Sequence, residues 1–362
     1  MREHSVIEAS LTVGLDVGDR FSQLCVLDRE GEVVEEVRVR TTPQGLERWT
    51  AGRAPFRVAL EVGTHSAWIE RLLSGKGHEV VVANARRLRS ICDNPDKSDR
   101  VDAEQLARLA RADPRLLHPV SHKDKATQAA RSLLRSRDVL VRSRTKLINH
   151  LRSSVKVFGA RLPSCSSHAA IKKVREHIPA ELRDGLLPIL DVVGELSARI
   201  QAFDRQVEQL AAQRYPQTQV LQQVPGVGAL TALAYVVTIG DPSRFTSSRT
   251  VGSYLGLRPA RDQSGGCDPQ LRITKAGDRL LRRLLVTSAH YILGPFGQDC
   301  DLRRYGERIA ARGGGKIAKK KAVVAVARKL AVLLHRLWQT SEVYQPLHQH
   351  AHSSAGNEPP HK

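Results

Sequence analysis

L-T-V-G-L-D-V-G-D-R-F-S-Q-L-C-V-L-D, residues 11–28, decides the fold class. Two apolar runs, 11–17 and 22–28, flank the turn signal Gly18-Asp19, and each has the length of a strand. A third strand is expected at 32–40. Thr41-Thr42-Pro43 then opens a helix, with Pro43 suited to its first turn. Further on, F-R-V-A-L-E at 56–61 and E-V-V-V-A at 79–83 read as strands, with a helix at about 65–74 between them. Three strands in succession, then strands alternating with helices, predict an α/β domain with a mixed sheet.

This order resembles that of an RNase H-like domain, and on it two acids fall at strand ends. Asp16 interrupts an apolar strand, and Glu61 ends one just before a Gly-Thr turn. A carboxylate within an apolar strand is costly unless paired, hydrogen-bonded or bound to a metal. Asp99 and Asp102 follow in K-S-D-R-V-D-A-E-Q-L-A-R-L, at the start of a strongly helical stretch, and the i, i+3 spacing puts them on one helical face. Four such acids could converge on one or two Mg2+ ions, which prefer oxygen ligands and gather around phosphates; Mn2+ would serve the same donor set. The plainer alternative makes Asp16 a turn residue and Asp99 a helix N-cap with Asp102 at N3.

Composition sets the partner. The 362 residues carry 57 Lys plus Arg against 37 Asp plus Glu, a net charge of +20, which points to a polyanion. At 41% apolar and 26% charged the chain is a globular protein, long enough for two or three domains. Without a long apolar run or a signal-like start, a membrane span or secretion is not expected, and a cytoplasmic, nucleoid-associated protein is. Five cysteines without a C-x-x-C pair argue against a disulfide framework or zinc module. The excess charge is concentrated: residues 131–156 hold eight basic groups and one acid, Asp138, and residues 302–336 hold eleven and one acid, Glu307. Two runs at this density favour salt-dependent phosphate binding over a merely solvated face.

Between the sheet domain and the second run lies a helical middle. Residues 125 to about 158 read as one helix, and about 181 to 213 as another. The second carries Leu186, Ile189, Val193, Leu196, Ile200, Phe203, Val207 and Leu210 at spacings of three and four, a coiled-coil seam. An intrachain hairpin that also contributes to a dimer is expected, with Arg137 and Arg144 of the first helix free to face nucleic acid. L-Q-Q-V-P-G-V-G-A-L-T-A, residues 221–232, then reads as a helix-hairpin-helix whose Gly226 and Gly228 let backbone N–H groups approach a phosphate. Ser264, before Gly265-Gly266, sits among Arg258, Arg261, Arg272, Lys275, Arg282 and Arg283, which could bind a phosphate. A serine beside glycines is also an ordinary turn residue.

Over roughly residues 10–340 the chain resembles the DEDD transposases of the insertion-sequence one-hundred-and-ten family, described as bridge-RNA-guided serine recombinases. The resemblance rests on V-G-L-D-V-G around Asp16, A-L-E-V-G-T-H around Glu61, the Asp99/Asp102 motif, P-G-V-G-A-L-T-A, G-S-Y-L-G-L-R-P, Q-S-G-G, and R-I-T-K-A-G-D-R-L-L-R-R-L-L. It implies a RuvC-like domain at 10–124, a coiled-coil domain at 125–214, a mainly α serine-containing transposase domain at 215–340, and a disordered tail at 341–362. It also implies Asp16, Glu61, Asp99 and Asp102 as a metal tetrad and Ser264 as a nucleophile forming a phosphoserine link. Donor and target DNA, a structured noncoding guide RNA, and a homodimer assembling to a tetramer are the implied partners. Many members read Glu-Ala-Thr-Gly at the second acid, whereas this chain reads Glu61-Val62-Gly63-Thr64. A RuvC-like junction resolvase or metal-dependent nuclease using water, or a non-catalytic nucleic-acid-binding protein, remain the alternatives.

Overall fold

The computed structural model describes residues 11–84, 98–163, 170–263, 269 and 271–347. The chain divides into two compact units, Met1–His122 and Lys123–Lys362. Among the described residues no helix is long and apolar enough to cross a membrane.

The first unit is a five-stranded mixed sheet, β1 (Thr12–Val17), β2 (Phe21–Leu27), β3 (Val33–Arg40), β4 (Arg57–Glu61) and β5 (Glu79–Ala83), in the order β3-β2-β1-β4-β5. The first three strands form an antiparallel meander, while β1–β4 and β4–β5 pair parallel. All five strands lie within a residue or two of their sequence positions. Helix α1 (Pro43–Thr50) starts as Thr42 and Pro43 dictate, with the Thr42 hydroxyl accepting from the Gly45 amide. It joins α2 (Ser66–Gly75) on one face of the sheet, where Leu46, Ile69 and Leu73 pack on Val13, Leu15, Val58 and Leu60.

Because side chains alternate along a strand, Gly14, Asp16, Ala59 and Glu61 belong to the opposite face. There α3 (Asp99–Ala112) presses Ala103, Leu106, Ala107 and Ala110 onto the sheet. The approach is close enough to require glycine: a Cβ on Gly14 would stand 1.9 Å from the Ala103 carbonyl oxygen. With Ala103 over Gly14 and the Ala110 carbonyl accepting from Arg57 at the start of β4 (3.1 Å), α3 runs antiparallel to β1 and β4. Its N-terminus therefore lies toward their C-terminal ends.

The second unit is helical. Helices α4 (Lys125–Ser154) and α6 (Arg183–Arg214), with the short α5 (Ala170–Glu176) between, make an antiparallel hairpin in which Leu151 meets Leu190 and Val193, and Leu134 lies beside Val207. The buried stripe of α6 is Leu186, Leu190, Val193, Ser197, Ile200, Val207 and Ala211. Ile189, Leu196, Phe203 and Leu210, expected on the seam, are half-buried flanks. Small side chains take their places: Ser197 bonds the Val193 carbonyl at 2.8 Å, and Gly194 leaves room for Ile171 of α5.

Helices α7 (Thr218–Gln222), α8 (Ala229–Ile239), α9 (Ser248–Tyr254), α10 (Arg279–Leu293), α11 (Asp301–Gly313) and α12 (Gly315–Thr340) complete the unit. Residues 231–239 of α8 are buried on every side, and the Tyr235 hydroxyl donates to the Ala331 carbonyl of α12 at 2.6 Å. Residues 341–347, expected to begin a disordered tail, are pinned instead: the Tyr344 amide donates to Gln223 and the Asp301 amide to the Pro346 carbonyl, each at 2.8 Å. The rest of that expected tail lies outside the described residues.

Candidate active site and nucleic-acid interface

Asp16 and Glu61 each follow directly on a registered pair, Leu15 opposite Leu60, so neighbouring parallel strands deliver them to the same end of the sheet. Both are on the α3 face. The first turn of α3, with Asp99 and Asp102, lies toward that end. Its N-cap is Ser98, whose hydroxyl accepts from the Val101 amide at 3.3 Å. The N-cap role is therefore taken by Ser98 and not by Asp99. Arg100 pairs with Glu36 at 2.5 Å and ties the start of the helix to β3.

Two strands and one helix thus carry all four acids to one edge. Carboxylate oxygens are the donors that Mg2+ and Mn2+ take. Among the described residues, no three Asp, Glu, His or Cys side chains stand close enough to hold one ion together. Sequence reasoning passed over His65 and Trp68, which follow Glu61 closely. The His65 Nδ1 accepts from the Trp68 indole N–H at 3.0 Å, and its Nε2 lies 3.5 Å from Asp19, just beyond β1. The only sequence signal was their position after the acid. Behind them Ser66 closes the turn, accepting from the Gly63 amide at 3.0 Å and bonding His122 Nε2 at 2.8 Å.

In the second unit, Ser264 lies outside the described residues, as do Gly265 and Gly266. The feet of its loop are described. The Ala260 amide donates to the Arg272 carbonyl, the Thr274 amide to Arg258, and the Lys275 amide to Gly256, with an antiparallel bridge between Pro259 and Ile273. Arg282 braces these feet by donating to the Leu255 and Ala276 carbonyls, at 3.0 and 2.7 Å. Arg283 pairs with Asp138 of α4. Of the six cations grouped around Ser264 in sequence, these two are engaged in scaffolding. Arg258, Arg261, Arg272 and Lys275 are exposed.

Arg137 and Arg144 are a correction as well. Arg137 is bonded to Asp204 at 2.5 Å, and Arg144 donates to the Ser197 hydroxyl at 3.3 Å. Both guanidinium groups fasten α4 to α6 and do not face outward. In the helix-hairpin-helix the two glycines differ. Gly226 adopts φ +87° and packs against Tyr291, which a Cβ would meet at 2.8 Å. Gly228, the N-cap of α8, is exposed, and a Cβ there would meet nothing within 4 Å.

A groove of about 1690 Å3 opens over α11 and α12. Its floor is apolar, with Leu302, Tyr305, Ile309, Val324 and Leu333 among the lining side chains. Arg249, Arg272, Lys275, Lys320, Lys321, Arg328, Lys329 and Arg336 line it too, against two acids, Asp301 and Glu342. Both feet of the Ser264 loop, Pro259 on one side and Arg272 on the other, therefore border the groove.

Known proteins bear on both units. Residues 13–158 match the DEDD transposase model of the IS110 group, and residues 218–297 match the transposase IS116/IS110/IS902 family. The transposase for insertion sequence element IS1111A of Coxiella burnetii is 29% identical over 348 residues, spanning 92% of this chain and 91% of that one. The transposase for insertion sequence element IS1328 of Yersinia enterocolitica is 29% identical over 88% of this chain and 94% of its own. The pilin gene-inverting protein of Moraxella bovis is 30% identical over 45% of this chain and 54% of its own. Two matched regions in the order of the family, together more than half of the chain, and two transposases matched over about nine tenths of both chains leave one assignment: the chain belongs to the IS110 family of insertion-sequence transposases.

Proposed function

We propose that this transposase is an RNA-guided recombinase that cuts and rejoins DNA through a phosphoserine link, with an RNase H-like, RuvC-type acid edge as one half of its site. The observation that carries the reading is the delivery of Asp16, Glu61, Asp99 and Asp102 to a single end of one sheet by two parallel strands and an antiparallel helix. These four would hold Mg2+ or Mn2+, which when bound supplies positive charge to the scissile phosphate.

The remaining chemistry belongs to the chain. Ser264 Oγ bonds to phosphorus, the P–O3′ bond breaks, and the 3′-oxygen leaves as a hydroxyl with the proton the serine gives up. A 3′-hydroxyl of the partner strand then displaces the serine oxygen, which regains a proton, so strands are exchanged without net hydrolysis. Arg258, Arg261, Arg272 and Lys275 at the loop feet offer charge to the phosphate. A homodimer that assembles to a tetramer would let the acid edge of one copy serve the serine loop of another. A structured guide RNA would choose donor and target DNA by pairing. Abundant cations and 4% aromatic residues suit a protein that contacts backbone and shape more than stacked bases.

The test uses a supercoiled plasmid carrying the gene with its flanking sequence. Ser264→Ala abolishes a protein–DNA adduct on denaturing gels, and Asp102→Asn abolishes cleavage with little loss of nucleic-acid binding. An adduct that survives Ser264→Ala overturns the serine assignment. Cleavage to free 5′-phosphate ends without any adduct would identify a water-using nuclease.

A further inference from the structure

His65 sits at the acid edge with its tautomer set by a neighbour. The Trp68 indole N–H can only donate, and it donates to His65 Nδ1 at 3.0 Å. Nδ1 is therefore an acceptor, and the proton of the neutral ring is on Nε2. In that tautomer His65 presents its Nε2–H as a donor. That Nε2–H faces Asp19 at 3.5 Å, the far end of hydrogen-bond range. The Asp19 side chain is 93% exposed and that of His65 is 29% exposed, so this acceptor is readily exchanged.

The two residues also mark a place. Asp19 comes three residues after Asp16 and His65 four residues after Glu61, so their contact joins the two segments that leave the acid-bearing strands. A phosphodiester brought to this end of the sheet meets carboxylates, and its oxygens need donors. The imidazole Nε2–H supplies one.

We infer that His65 is a phosphate-positioning residue. Its Nε2–H leaves Asp19 and donates to a non-bridging oxygen of the DNA phosphate at the acid edge, while Trp68 fixes the tautomer that makes this donation possible. The inference rests on the reading of that edge as the reaction centre.

The experiment combines imidazole 15N NMR of the full chain with single-turnover cleavage of the plasmid. The NMR spectrum is expected to report the Nε2–H tautomer for His65, and the Nε2 signal to move when a short DNA duplex is added with Mg2+. His65→Phe keeps a ring without the donor and lowers cleavage roughly tenfold, the worth of one hydrogen bond to a charged group. His65→Gln, which restores an N–H, recovers most of it, and Asp19→Ala leaves cleavage unchanged or faster. Cleavage by His65→Phe at the wild-type rate, no recovery in His65→Gln, or an Nδ1–H tautomer overturns the inference. Asp102→Asn is run alongside. If it loses cleavage while His65→Phe does not, only the His65 role fails; if it cleaves normally, the acid edge is not the reaction centre and both fall.

Discussion

Residues 131–156 and 302–336 look alike as sequence, two basic runs with a single acid each, yet the fold treats them in opposite ways. In the first, Arg131 and Arg135 meet Asp278, Arg137 meets Asp204, and Arg142 meets Asp138. Half of its eight basic groups are thus neutralised by carboxylates, most of them far away in the chain. In the second, the ends are paired, Arg303 with Glu307, Arg304 with Asp299 and Arg336 with Glu342. Between them Arg308, Arg312, Lys316, Lys319, Lys320, Arg328 and Lys329 have no carboxylate partner among the described residues. The residue types fit the division. Planar arginine forks make directed pairs inside a scaffold, while lysines are mobile point charges suited to a phosphate backbone. Charge density in a sequence thus locates cations without saying which of them hold the protein together and which are offered to a partner.

The most forceful way to break the comparison is to remove groove cations. Lys320→Ala, Arg328→Ala and Lys329→Ala together should weaken nucleic-acid binding on the order of a hundredfold near physiological salt, and reduce the slope of log K against log salt by about three. Thermal unfolding should barely move, since all three are exposed. An unchanged salt slope would mean that the second run, like the first, is structural.

A smaller effect of the opposite kind belongs to the first run. Asp278 is 12% exposed, caps α10 by accepting from the Leu281 amide at 3.0 Å, and pairs with Arg131 at 3.0 Å. Burial pushes its carboxyl up, but the Leu281 amide and the two arginines hold it below the usual carboxylate range. Asp278→Ala removes the cap and strands two cations, so a loss of about 2 kcal/mol in urea unfolding is expected. Nucleic-acid affinity at a temperature where the variant is folded should be unchanged. Weakened binding with intact stability would erase the distinction between the two runs.

How far these roles could be read from the sequence depends on the range of the interaction. The sheet was legible because period-two alternation is local: Val13 and Leu15 face α1 and α2, and Asp16 is the next residue. The acid edge was legible for the same reason, since each carboxylate ends or begins an element. The α6 seam was half legible. Periodicity favours large apolar side chains, so Leu196 and Leu210 were expected inside where Ser197 and Ala211 pack, a choice set by how closely α4 and α5 approach. Arg137 was misread because Asp204 lies 67 positions away. His65 was passed over because its significance comes from the Trp68 hydrogen bond and from Asp19 on another strand's exit, neither of which has a sequence period.

The smallest predicted effect sharpens the comparison within a single helix. α12 bears the open lysines on one side and buries His335 on the other, where the ring is 0% exposed. Its Nε2 can only donate to the Pro242 carbonyl at 3.0 Å, which leaves Nδ1 to accept from the Ser248 hydroxyl at 2.9 Å. Burial lowers the pKa of this ring below its ordinary 6.5. A group depressed in the folded state contributes stability that is present above the unfolded pKa and is lost as pH falls through the folded one. Stability of the helical unit against unfolding should therefore weaken as pH falls below about 6.5, and His335→Gln should flatten that acid limb. His78 and His122, lowered by the same burial, impose the same sign on the first unit, so the measurement needs a probe confined to the second, such as hydrogen exchange of the α8 amides. The open lysines on the other side of α12 stay charged throughout this range. Acid should then loosen the buried face of the helix before it changes the charge of the groove. Loss of nucleic-acid binding at a pH where α8 is still protected would contradict that order.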